Sequence, residues 1–140
     1  MHYLQIQRLT SPFNIFYIQL LLANIRFEMA PEGEEKKPIV LTDETFDDFV
    51  NGNKASIIDC WAAWCFPCRM LSPVVDQLAE EHKEIAFGKL NVDENPKIPL
   101  RYGIMAIPTL LYFKDGKLVN KEAGALPKDA LENRMSKLLT

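Results

Sequence analysis

The sequence predicts an α/β fold in which a parallel βαβ unit is followed by an antiparallel hairpin, and three stretches carry the prediction. Ala55-Ser56-Ile57-Ile58-Asp59-Cys60-Trp61 is almost continuously apolar, the pattern of a strand covered on both faces. A helical pattern from about Cys65 to His82 separates it from a second apolar strand, Ile85 to Asn91, and that order makes the crossover parallel and right-handed. Asp115-Gly116 stands between Thr109-Leu110-Leu111-Tyr112-Phe113 and the alternating stretch Lys117 to Ala123, as in a two-residue hairpin.

Length and composition bound the reading. The chain has 140 residues, enough for one domain with a real core. Hydrophobic residues at 48% and charged residues at 25% are ordinary globular values, which argues against wholesale disorder. A formal net charge of -3 leaves no basic footprint, so nucleic acid is not an expected partner. Three cysteines do not make a disulfide-dense secreted scaffold, and a lone CxxC in a βαβ pattern points to redox or metal chemistry in a reducing compartment.

Residues 1–36 differ from the rest. Phe13 to Ala23 is apolar, but it is shorter than the ~20 residues a spanning helix needs, and Asn14 and Gln19 interrupt it. The length suits the apolar region of a signal peptide behind Arg8, yet neither Ala23 nor Ala30 completes a small-x-small cleavage site. Export or tethering through residues 8–25 is the alternative. The favoured expectation is an extension that is disordered or lies upstream of a true start at Met29, with the domain over 37–140.

Each element of the domain has its own signal. Ile39-Val40-Leu41 reads as a short buried strand, and Thr42 as the N-cap of a helix with Asp43 and Glu44 in its first turn. Phe46, Phe49 and Val50 give that helix one apolar face, and Gly52 ends it. In the long second helix Met70, Leu71, Val74, Val75, Leu78 and Ala79 form the stripe, and Pro73 inside it predicts a kink. Asp93-Glu94-Asn95-Pro96 breaks the pattern ahead of a short helix around Leu100 to Tyr102 that Gly103 stops. After the hairpin, whose second strand is expected at a sheet edge, Gly124 ends the strand and Pro127 enters a first helical turn. Leu131, Met135, Leu138 and Leu139 supply the last apolar face.

The chemistry concentrates at Trp64-Cys65-Phe66-Pro67-Cys68. Two thiols three apart at a helix start share one face and can close into a disulfide and reopen. The helix N-terminus favours a thiolate at Cys65, and Pro67 in the first turn loses no hydrogen bond. Structural zinc needs four ligands, and the remaining Cys60, His2 and His82 are not in ligand spacing, so dithiol redox is favoured over a metal site. Asp59, six before Cys65 and flanked by apolar residues, is an ionisable group where burial disfavours charge.

Asp59, Trp64-Cys65-x-Pro67-Cys68, Ile107-Pro108-Thr109 and Gly124-Ala125, in that order and spacing, make the segment from about Pro38 to Thr140 resemble the thioredoxin family. The resemblance implies a thioredoxin fold, a mixed five-stranded sheet flanked by helices on both faces, ordered βαβαβ then ββα. It implies that Cys65 is the exposed nucleophile and Cys68 the buried resolving thiol of a protein disulfide reductase with no bound cofactor beyond the Cys65–Cys68 disulfide. Asp59 would then take the Cys68 proton, with Lys89 modulating it. A cis Ile107-Pro108 bond would stand beside the cysteines, and Trp64, Ile107, Thr109, Gly124 and Ala125 would form the substrate surface.

Trp61 and Cys60 are expected in the core. Phe66 departs from the family's usual glycine. It brings neither charge nor hydrogen-bond donor, so a reductant is expected rather than an oxidase. The implied partners are client proteins with disulfides and a thioredoxin reductase, either an NADPH flavoprotein or a ferredoxin-dependent enzyme, around a cytoplasmic monomer. Two alternatives stay open: an exported or membrane-tethered oxidase, isomerase or cytochrome-maturation protein, and a binding module without turnover.

Overall fold

The computed structural model describes residues 36–140; the apolar N-terminal run, the alternative start at Met29 and His2 lie outside the described residues. The elements are β1 (Ile39–Leu41), α1 (Phe46–Asn51), β2 (Ala55–Trp61), α2 (Phe66–Glu81), β3 (Ala86–Asn91), α3 (Lys97–Arg101), β4 (Thr109–Lys114), β5 (Lys117–Ala123) and α4 (Lys128–Leu139). The strands form one sheet in the order β1-β3-β2-β4-β5, with β1–β3 and β2–β3 parallel and β2–β4 and β4–β5 antiparallel. This is the mixed five-stranded α/β architecture read from the sequence.

Side-chain alternation along β2 assigns the two faces of the sheet. Ile57 joins Leu71, Val75 and Leu78 of α2 and Leu131 and Met135 of α4 in one core. Ile58 and Cys60, pointing the other way, join Phe46 and Val50 of α1 and Ile98 of α3 in a second core. Asp59 shares the parity of Ile57 and therefore faces the α2 layer. Cys60 faces away from it.

The hairpin forms as expected. Asp115 and Gly116 both have positive φ, +50° and +78°, and the ladder closes on the pair Lys114–Lys117, the geometry of a type I′ turn. Gly116 is selected by its positive φ; a Cβ there would also displace the tip of the Asn51 side chain.

Several local expectations are corrected. β1 is an edge strand, so Ile39 and Val40 are exposed and only Leu41 is buried. α1 starts at Phe46, later than expected, with Thr45 at the N-cap position but making no side-chain cap bond; the capping contact falls to Thr42, whose hydroxyl accepts from Thr45 N at 3.3 Å and whose carbonyl accepts from Thr45 N and Phe46 N. Asp43 is not a first-turn residue of α1. Its carboxylate accepts from Lys97 N at 3.1 Å and Ile98 N at 3.0 Å, the free N–H groups at the start of α3, far along the chain. Pro73 lies inside α2, as the sequence indicates, and the buried stripe of that helix is Cys68, Leu71, Val75, Leu78 and Ala79. Met70 falls outside that stripe and is exposed. Pro127 is the N-cap of α4 rather than a residue inside it, and Leu139 is exposed beyond the buried Leu131, Met135 and Leu138.

Among the described residues no helix is long and apolar enough to cross a membrane.

Candidate active site

β2 ends at Trp61, and α2 begins five residues later, so its N-terminus sits at the C-terminal end of the parallel strands. Cys65 is the N-cap, with extended backbone (φ -83°, ψ 109°), and its sulfur accepts from Cys68 N at 3.2 Å. That bond places one of the helix's free N–H groups on sulfur, the arrangement that favours a thiolate when the pair is reduced. Cys65 and Cys68 are joined in a disulfide, with Cα atoms 5.3 Å apart. Pro67 occupies the first helical turn, where no backbone donor is lost.

Both cysteines are buried in this oxidised state, Cys65 at 4% exposure and Cys68 at 2%, so the expected contrast between an exposed and a buried sulfur is not one of accessible area. It is one of surroundings. Cys65 lines an open groove of about 660 Å³ together with Trp64, Phe66, Val92, Met105 and Ile107, and Cys68 does not. The Cys65 sulfur also lies 3.8 Å from the Ile107 carbonyl. The cysteines pack with Ala62 and the partly buried Trp61, Val92 and Ile107. Trp61 is therefore a shoulder of the site rather than a core residue.

The rim of the groove is apolar and solvent-facing. Trp64 is 69% exposed and Phe66 64%, unusual for such large rings. Trp64 is held by its indole N–H, which donates to Asp93 Oδ2 at 2.9 Å, and the Arg69 guanidinium lies over the Phe66 ring at 5.8 Å. Met105 joins the rim almost fully exposed. The sequence assigns no site role to Met105, and to Asp93 only a place in a pattern break; both are loop residues whose role depends on where the loop lands.

The Ile107-Pro108 peptide bond is cis. Pro108 is buried, and its carbonyl accepts from Gly124 N at 2.8 Å, tying the two motif segments together. Gly124 has φ +102° and open space where a Cβ would stand, so backbone conformation rather than crowding selects glycine there. Ala125 beside it is exposed. Thr109 is placed differently from its expected position on the substrate surface: as the first residue of β4 it is buried, and its hydroxyl donates to Ala106 O.

One polar group lies inside the core on the α2-facing side of the sheet. Asp59 is 1% exposed, and its Oδ1 has no hydrogen-bond partner among the described residues. Burial pushes its carboxyl up from 3.8 to about 7, against the opposing pull of the Lys89 ammonium and with a smaller push from Asp76. Lys89 is the register partner of Asp59 across β2–β3. Its Nζ donates to Ser72 Oγ at 2.7 Å and pairs with Asp76 Oδ1 at 2.8 Å, both on α2. Cys60 is fully buried on the opposite face of the sheet, and burial raises its thiol well above the ordinary range. It is a packing residue.

Away from this site, ligand atoms of Glu81, His82 and Glu132 lie within 4.8 Å of one another. The Lys128 ammonium already sits 2.8 Å from Glu81 Oε1 and 3.9 Å from Glu132 Oε1, supplying the positive charge a metal would bring.

The family model described as Thioredoxin matches residues 37–137. The chain is 45% identical over 102 residues to the thioredoxin of Alicyclobacillus acidocaldarius, covering 72% of this chain and 97% of that one. It is 47% identical over 96 residues to the thioredoxin of Chlorobaculum thiosulfatiphilum, covering 67% and 89%. Among solved structures it is similar to a mutant thioredoxin from Halobacterium salinarum, with a TM-score of 0.71 and 36% identity over 76% of this chain and 94% of the other.

Proposed function

The chain belongs to the thioredoxin family and is a thiol-disulfide oxidoreductase that reduces protein disulfides, and we propose that Cys65 performs the attack, Cys68 the resolution and Asp59 the proton transfer. In the reduced protein the Cys65 thiolate attacks a client disulfide. A Cys65–client bond forms, the client S–S bond breaks, and one client sulfur leaves as thiolate. Cys68 then gives its proton to Asp59 and attacks the Cys65 sulfur. The Cys65–Cys68 bond forms and the second client sulfur leaves as thiolate, so two electrons have passed to the client; Asp59 returns one proton to the departing sulfur and water supplies the other. The observation that supports this reading is that Cys65 caps α2 and lines the open groove, while Cys68 is on the buried face of α2, the helix layer toward which Asp59 points by its strand parity.

The exposed apolar rim supports a reading of what docks there. Trp64, Phe66, Met105 and Ile107 would receive an extended client segment with an apolar side chain beside its cysteine, the Ile107 backbone offering main-chain hydrogen bonds and the exposed Gly124-Ala125, tied to Pro108, extending the surface outside the groove. Lys89 would modulate Asp59, and Pro108 would hold the Ile107 backbone toward the sulfur. Electrons would come from a thioredoxin reductase, either an NADPH flavoprotein or a ferredoxin-dependent enzyme, acting on a monomer in a reducing compartment such as the cytoplasm. No bound cofactor beyond the disulfide is needed for this cycle.

Insulin reduction with a competent electron donor tests the reading. Wild type turns over. Cys65→Ser loses activity by more than about 10⁴-fold, and Cys68→Ser completes the first attack and accumulates a client mixed disulfide visible in the intact mass. A Cys65→Ser protein that still forms the mixed disulfide would reverse the roles.

A further inference from the structure

We propose that Asp76 and Ser72 are positioning residues for the proton chemistry of Asp59, because they hold the Lys89 ammonium on α2 and so keep it from pairing with the buried carboxylate. The inference rests on the assignment of Asp59 as the group that takes the Cys68 proton.

The geometry begins with alternation. Asp59 and Lys89 are register partners on adjacent parallel strands, with the same parity as Ile57 and Phe87, so both side chains leave the sheet toward α2. Backbones of neighbouring strands lie about 5 Å apart, within the reach of a lysine side chain. Lys89 nevertheless gives Asp59 no hydrogen bond, and Asp59 Oδ1 has no partner among the described residues. The ammonium is turned instead to Ser72 Oγ and Asp76 Oδ1. Ser72 and Asp76 follow Cys68 at i+4 and i+8, so the resolving cysteine and both tethers stand on one ridge of α2.

The choice has a chemical consequence. Asp59 must hold a proton near neutral pH to serve as its acceptor and donor, and an ammonium paired directly with it would keep it ionised. A half-exposed carboxylate, Asp76, offers Lys89 a site that costs less desolvation than the interior. The other groups around Asp59 do not compete for the ammonium: Cys60 on its own strand points to the opposite face, Leu110 opposite it on β4 is apolar, and α2 brings Cys68 besides the tethers. Lys36 and Lys37 border the shallow surface depression that Asp76 lines.

Carboxyl ¹³C NMR of the oxidised full chain reads the outcome directly, because neither active-site sulfur titrates in that state; Asp59→Asn assigns the resonance. Asp76→Asn is expected to lower the Asp59 midpoint by about one pH unit, Ser72→Ala to lower it less, and Asp76→Glu to leave it near wild type. Lys89→Met is expected to raise it, and in that background Asp76→Asn lowers it by much less than in wild type, only by the small direct push of its charge. Overlay of Asp76→Asn on wild type would overturn the tether. So would an undiminished shift in the Lys89→Met background, which would make the effect a direct one of Asp76 charge. Failure of the underlying assignment looks different: Asp59→Asn would leave the pH profile of client release unchanged whatever the NMR midpoints do.

Discussion

Cys65 and Cys68 are three residues apart and share one bond, yet they meet different media. On the Cys65 side is an open groove whose rim is Trp64, Phe66 and Met105, all exposed, with scarcely a charged side chain facing the sulfur. On the Cys68 side the sheet presents a buried carboxylate, and an ammonium is held just off it by the outer turns of the same helix. One turn of helix separates recognition from proton handling. The division has a physical basis: an apolar surface binds clients of varied sequence through area, whereas a proton acceptor near neutral pH needs a low-dielectric interior to lift an aspartate so far.

Substitutions on the two sides should therefore fail in different ways. The largest effect is expected inside. Asp59→Asn should slow release of the client from the mixed disulfide by about 10²-fold at neutral pH with little change in client affinity, as measured by stopped-flow tryptophan fluorescence. The same residue makes stability pH-dependent. Its folded-state value, about 7, is above the ordinary 3.8, so the folded protein binds the proton more tightly. The contribution is fully present below about pH 4 and is lost as pH rises through 7, up to about 4 kcal/mol in all. Denaturant unfolding of the oxidised protein should show this decline between pH 4 and 8, and Asp59→Asn should flatten it. An unchanged slope would place the Asp59 carboxyl in contact with solvent.

On the groove side the effects are smaller and appear in affinity. Trp64→Ala removes the largest exposed ring and should reduce kcat/KM for a protein client by about tenfold, mainly through KM, with the mixed-disulfide resolution rate unchanged. A slowed resolution step would break the division between the two sides. Phe66→Gly should raise KM a few-fold and move the potential of the Cys65–Cys68 pair by no more than tens of millivolts, read by equilibration with glutathione. A much larger displacement would mean that Phe66 acts on thiolate stability and not on contact.

The sequence by itself determined the order of elements, the parallel unit around the CxxC helix, the hairpin at Asp115-Gly116 and the residues where chemistry gathers. These are legible because they depend on local pattern: continuous apolar runs, a proline and a cysteine pair at a helix start, and glycine where φ must be positive. An aspartate inside an apolar strand is likewise conspicuous in one dimension.

Tertiary structure decided what pairs with what. β1 reads as buried from its three apolar residues, but only its place at the sheet edge shows that two of them face solvent. Asp43 looks like a first-turn acid of α1 and instead satisfies the N–H groups of α3. The family resemblance couples Lys89 to Asp59, but only the β2–β3 register makes the two neighbours, and only the ridge of α2 turns the ammonium to Ser72 and Asp76. Long side chains choose their partners from whatever the fold brings within reach, and that choice, made across elements distant in the chain, is not written in any local pattern.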